Sequence, residues 1–295
     1  MSIETRPLIT RSLEPLENRV EVLLAESRLA YCATDDPEDI EELQLMTVLV
    51  SFDPAPAQRW SIRALAATFI TAQCQFEQLP VGRKLGDWLG DLLNAHEPAS
   101  LCIVFALPQH SADMEKEIGS FLSDLKGARR HHLNLTVAVS QTPVDWKGCT
   151  GIDGFVFAEA PVGNSESLQV FRMLAALMAP GMSVCVDAED LRPVFGTADR
   201  PSRIATGVWL PDLEIFEVAT HDDRRMLKAC ARVAFMPSTP LRLSSQTKLL
   251  KAIRKSAEDD TDIVMMGPYG MVSEQTLASQ VVPVVMVVMT PQDLL

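Results

Sequence analysis

Two aspartates three residues apart, Asp187 and Asp190, and the arginine that follows them, Arg192, have the types and spacing that point most directly to chemistry or contact. On a helical turn the two carboxylates share one face. Asp190-Leu191-Arg192 is expected to open a helix with its acids at the favourable N-terminal end. Aspartate is also a common helix cap, so the pair reads either as a cap or as an acidic tip offered to a partner. Cys185 stands beside these acids, which disfavour a thiolate, and an inert thiol is expected there.

A second group is His110, Ser111 and Asp113, in the loop Pro108–Asp113 after a buried apolar run. These are the residue types of a hydrolase, at the sheet edge where α/β proteins bind ligands, but adjacency in sequence is not triad geometry. His131-His132 has no third ligand at metal-binding spacing. Lys126–His132 reads as a solvated helix end whose cations suit a helix C-terminus. Gly82–Gly86 lacks the layout of a phosphate-binding loop. No cofactor, metal or catalytic residue is therefore expected.

The elements that must position these residues follow from pattern. At 295 residues the chain can bury a large core. It contains no window of about 18 apolar residues, so no membrane insertion is expected. The net charge of −13 argues against nonspecific binding to nucleic acid. Six dispersed cysteines without a C-x-x-C and an N-terminus without signal-peptide layout point to a cytoplasmic protein with reduced thiols. Residues 1–45 read as an acidic extension with a helix around Leu16–Ala30. Strands are expected at Met46–Phe52, Thr68–Gln73, Leu101–Leu107, Asn134–Ser140 and Gly154–Ala158. Helices are expected at Ser61–Ala67, Leu85–Asn94, Asp113–Leu125 and Ser165–Met178. This βαβα rhythm implies an α/β fold with a parallel sheet. In the second half, strands are expected at Ala205–Leu210, Asp262–Gly267 and Gln280–Met289, and helices at His221–Phe235 and Ser244–Ala257.

Several segments, in order, resemble the FtsZ/tubulin family. Leu135-Thr136-Val137-Ala138-Val139 is similar to a family strand, and Gln169–Gly181 to the end of its central helix. Asp223-Arg224-Arg225, Ala252-Ile253-Arg254, Asp259–Gly267 and Val284–Met289 resemble later family segments. Pro180–Arg192 resembles the family's synergy loop, with Cys185 at the asparagine position and Asp187, Asp190 and Arg192 kept. The resemblance implies a Rossmann-type first domain (46–165), a connecting helix and loop (166–192) and an α+β second domain (193–295), after the 1–45 extension.

The family's glycine-rich phosphate signature is missing. Between the strand Leu101–Leu107 and its helix stands Pro108-Gln109-His110-Ser111-Ala112, without the glycines that let amides approach a phosphate. Asp113 and Glu115 add negative charge at the helix start. The first turn, Ser51–Pro56, also lacks glycine, and the segment before Gln169 is too short to supply the family's guanine contact. The expectation is a bacterial-type, non-GTPase FtsZ-like protein. It would act through Asp187, Asp190 and Arg192 on a protein partner, either FtsZ or further copies of itself, and so regulate or cap filaments in cell division. The alternatives are an adaptor or structural subunit of another bacterial assembly, the adaptor using residues 1–45, or a small-molecule enzyme that uses the Pro108–Asp113 loop.

Overall fold

The computed structural model describes residues 20–32, 40–52, 73–80, 82–107, 110–127, 132–159, 165–177, 188–266 and 280–289. Among them, eleven strands form one sheet. The strands are β1 Val20–Cys32, β2 Ile40–Phe52, β3 Gln73–Gln78, β4 Ser100–Ala106, β5 His132–Ser140 and β6 Gly154–Phe157. They continue as β7 Ser202–Leu210, β8 Ile215–Val218, β9 Arg232–Pro237, β10 Asp262–Met265 and β11 Val282–Met289. The order is β10-β9-β11-β7-β6-β5-β4-β2-β1-β3, with β8 also on β7. β2, β4, β5, β6 and β7 run parallel. β11 is antiparallel to both β7 and β9.

Fully apolar runs explain the parallel centre, since a strand covered on both faces has no polar side to show. β4 is buried along nearly its whole length. Leu101, Ile103 and Phe105 face one layer, whereas Cys102, Val104 and Ala106 face the other. The first layer holds helices α1 (Leu85–His96) and α2 (Ala112–Gly127), the second holds α3 (Ser165–Leu177). The apolar spacing of α2 puts Met114, Ile118, Phe121, Leu122 and Leu125 inside, as its pattern predicts. After the one-turn helix α4 (Ala188–Leu191), α5 (His221–Ala229) and α6 (Leu243–Arg254) pack on β7, β9 and β11.

Three expectations are corrected. Val20–Ala30 is strand, not helix: β1 pairs with β2 along all thirteen of its residues and with β3. Val20, Val22 and Leu24 alternate with Glu21 and Leu23, and two-sided pairing outweighs helix propensity there. Residues 20–32 and 40–45 thus contribute strands to the sheet rather than preceding it. The helix expected to reach Phe235 stops at Ala229, and Arg232–Phe235 belongs to β9. The helix expected to open at Asp190 instead ends at Leu191. Ser61–Ala67 lies outside the described residues, as does Thr68–Gln73 except for Gln73.

Candidate functional site

The connection from β4 to α2 lies at the carboxyl ends of the parallel strands, where such sheets present their ligands. His110 Nε2 and Glu115 Oε2 stand 2.9 Å apart, both about a quarter to a third exposed. The His110 ring also meets Trp146 edge-on, with centroids 5.2 Å apart and planes at 77°. Trp146 belongs to the 3₁₀ turn Pro143–Trp146 after β5 and is fully buried. Gly148 then lets the chain pass close to α2: a β-carbon there would lie 2.5 Å from Glu115 Oε1. Cys149 donates to the Glu115 carbonyl at 3.7 Å. Burial, then the nearby Glu115 carboxylate, push its thiol up to about 11.

His110 is therefore paired with Glu115, not assembled with Ser111 and Asp113. Asp113 is exposed on the first turn of α2, and the Ser111 carbonyl accepts the Glu115 N–H at 2.9 Å. Pro108 and Gln109 lie outside the described residues. Cavities of 770 and 450 Å³ flank α2, and His110 lines neither. The chemistry available here is a carboxylate–imidazole pair, with Glu115 directing negative charge at the start of α2.

The second predicted group is divided by the structure. Asp187 and Cys185 lie outside the described residues. Asp190 sits exposed on α4 beside the exposed Glu189. Arg192 turns back into the fold. Its Nη1 donates to Asp153 Oδ1, and its Nη2 donates to the Asn134 carbonyl at 2.9 Å and to Glu189 Oε1 at 3.2 Å. Asp153 in turn accepts the Thr136 N–H at 2.8 Å, and its own N–H reaches the Thr136 carbonyl. Partial burial pulls the guanidinium pKa down, but Asp153 and Glu189 together outweigh that and hold it raised.

One arginine thus ties α4 to β5 and to the start of β6. The following residues are fixed as well: Phe155 N–H donates to the Gly196 carbonyl at 2.8 Å, and Gly196 N–H donates to Ser202 Oγ at 2.9 Å. Sequence reasoning missed Asp153, Asn134, Trp146 and Gly148. Asp153 and Asn134 meet Arg192 from 39 and 58 positions away, a distance over which side-chain spacing carries no signal.

Among the described residues no three metal-ligating side chains converge, and no helix is long and apolar enough to cross a membrane. Cys102, Cys149 and Cys230 are buried and unbridged.

No family model matches the chain, and no curated protein matches it. Among solved structures, it is similar to an empty FtsZ dimer from M. jannaschii at 11% identity, covering 71% of this chain and 70% of that one, with a TM-score of 0.40. It is similar also to a tryptophan-to-tyrosine mutant of M. jannaschii FtsZ at 9% identity, covering 70% of each chain, again with a TM-score of 0.40.

Proposed function

We propose that this chain is an FtsZ-like protein without GTPase activity that acts by protein–protein contact, regulating or capping FtsZ-type filaments. The observation that carries the first half of this reading is the β4–α2 connection. A triphosphate held at that helix start would need close, glycine-borne amides. The chain instead places Glu115 and Asp113 on the first turn of α2, with His110 drawn onto Glu115. Support for the contact comes from α4, where Arg192 anchors a turn whose acids, Glu189 and Asp190, face outward. A molecule that offers such a tip but no nucleotide site would add to a filament end and give the next subunit nothing to act on.

Calorimetry with GTP and Mg²⁺, run beside a GTP-driven FtsZ light-scattering assay, tests both halves. No heat of nucleotide binding is expected, with filament mass falling at substoichiometric ratios. Asp187→Ala combined with Asp190→Ala should abolish that fall. Micromolar GTP binding would sink the first half, and unchanged scattering the second. The adaptor reading is separated by deleting residues 1–19, which lie ahead of β1 and leave the sheet strands in place. Loss of partner binding in that truncation would favour the adaptor.

A further inference from the structure

Arg203 differs from the arginines that serve the fold. Arg28, Arg83, Arg192, Arg232 and Arg254 each donate a side-chain hydrogen bond to a carboxylate or a carbonyl. Among the described residues the Arg203 guanidinium donates none, although its side chain is only 26% exposed and its Nε is buried. Its carboxylate neighbour is Glu159, 3.6 Å from Nη1, which is beyond hydrogen-bond reach, and the Glu159 side chain is 74% exposed. The guanidinium lies over the Phe157 ring, 4.9 Å from its centroid. Stacking on a ring face fixes the plane of the fork without using any N–H. Leaving the donors of a half-buried cation without acceptors costs free energy, and an acceptor that fills them recovers it.

The place in the fold suits a ligand. Phe157 is the last residue of β6, so the pair stands at a carboxyl end of the parallel strands. The register Phe157↔Arg203 sets the two side by side on adjacent strands. Two residues before Phe157, Phe155 packs with α1 and α2, and two residues after Arg203, Ala205 packs with α5 and α6. Strand alternation puts all four positions on one face of the sheet. Phe157 and Arg203 themselves belong to neither core. They occupy the line where the two helical layers meet, a kind of junction where small-molecule sites concentrate.

We infer that Arg203 anchors a binding site for a small molecule that carries a carboxylate or phosphoryl group. Nη1 and Nη2 form the fork that such a group engages bidentately. Glu159 swings out to solvent as the group arrives, and the Phe157 ring edge receives the ligand's apolar part. The inference stands apart from the filament reading, since the site includes no residue of α4 or of the β4–α2 connection.

NMR titration of the full chain with inorganic phosphate and, separately, with benzoate tests it. The Arg203 Nε–Hε resonance, identified by its loss in Arg203→Lys, is expected to shift and saturate with at least one probe. Saturation with phosphate alone assigns a phosphoryl ligand, and saturation with benzoate alone a carboxylate. The exposed Arg224 and Arg225 are the references and should drift without saturating. Glu159→Gln should tighten binding about two- to fivefold, because it removes a competing carboxylate. In Arg203→Lys, binding followed at the Phe157 amide should weaken roughly tenfold or more, since an ammonium lacks the fork. Shifts that never saturate, or an equal response at Arg224 and Arg225, would overturn the inference. So would unchanged or weaker binding in Glu159→Gln, or undiminished binding in Arg203→Lys. Glu159→Gln alters an exposed side chain, so its outcome holds whether or not the Arg203 variant folds.

Discussion

At the start of α2 one histidine and one glutamate turn toward each other, whereas at α4 one arginine joins the exposed Glu189 to Asp153 and a strand carbonyl of the fold. His110 and Glu115 are both partly exposed, and either can leave the other for solvent. Arg192 is no more buried than they are, but it holds more partners: Asp153, whose side chain is 15% exposed, the Asn134 carbonyl and Glu189. The lesson is that a half-buried charge with long-range partners belongs to the fold.

The largest effect that would sharpen this contrast is at Arg192. Arg192→Ala is expected to cost about 2–3 kcal/mol, because Asp153 and the Asn134 carbonyl lose their partner in a partly buried setting. Arg192→Lys should recover only part of that, lacking the planar fork. Urea denaturation with an unchanged m-value measures both, and a cost below about 0.5 kcal/mol would erase the distinction.

Gly148→Ala should cost less, about 1 kcal/mol. The obstructing atom is the end of the Glu115 side chain, which can swing away from His110. If this change proves as harmful as Arg192→Ala, the β4–α2 connection is more rigid than its exposure implies.

A smaller effect follows from the thiols near these two regions. Burial lifts Cys102 to about 12, and burial with Glu115 lifts Cys149 to about 11. With folded values above the unfolded one, the folded state binds more protons as pH rises, so stability falls in that window. The contribution is full below about pH 9 and is lost progressively as pH climbs toward 11–12. Urea midpoints between pH 8 and 10.5 should decline, less steeply in Cys149→Ala. Equal slopes in the two proteins would count against Cys149 as a contributor.

The smallest expected change is Asp190→Ala, within about 0.5 kcal/mol of the parent in stability. A large loss would place Asp190 with Arg192 in the fold rather than at a contact surface.

Much of the fold was legible because burial on two faces writes itself into sequence. β4 and β11 are unbroken apolar runs, and the inward faces of α1, α2 and α6 follow helical spacing. β1 was not legible, since its leucines, glutamates and alanines also favour a helix, and only pairing with β2 and β3 decides otherwise. The pattern overextends α5 for a related reason: the apolar residues after Ala229 continue without a proline or glycine to stop them before Pro237. At the sites, residue types were legible and partners were not. His110 was visible, its pairing with Glu115 and its contact with Trp146 were not. Arg192 was visible, but Asp153 was not.

The junction of β6 and β7 has a further consequence. β7 pairs with β11 at seven positions but with β6 at only two, Val156↔Ser202 and Phe157↔Arg203. A seam so short is where a sheet of this width is weakest to pulling and to thermal opening. Amide hydrogen exchange should therefore run faster at Val156, Phe157, Ser202 and Arg203 than within β4 or β11. Force applied across the sheet should part it there first, separating the side that holds β2, β4, β5 and β6 from the side that holds β7, β9 and β11.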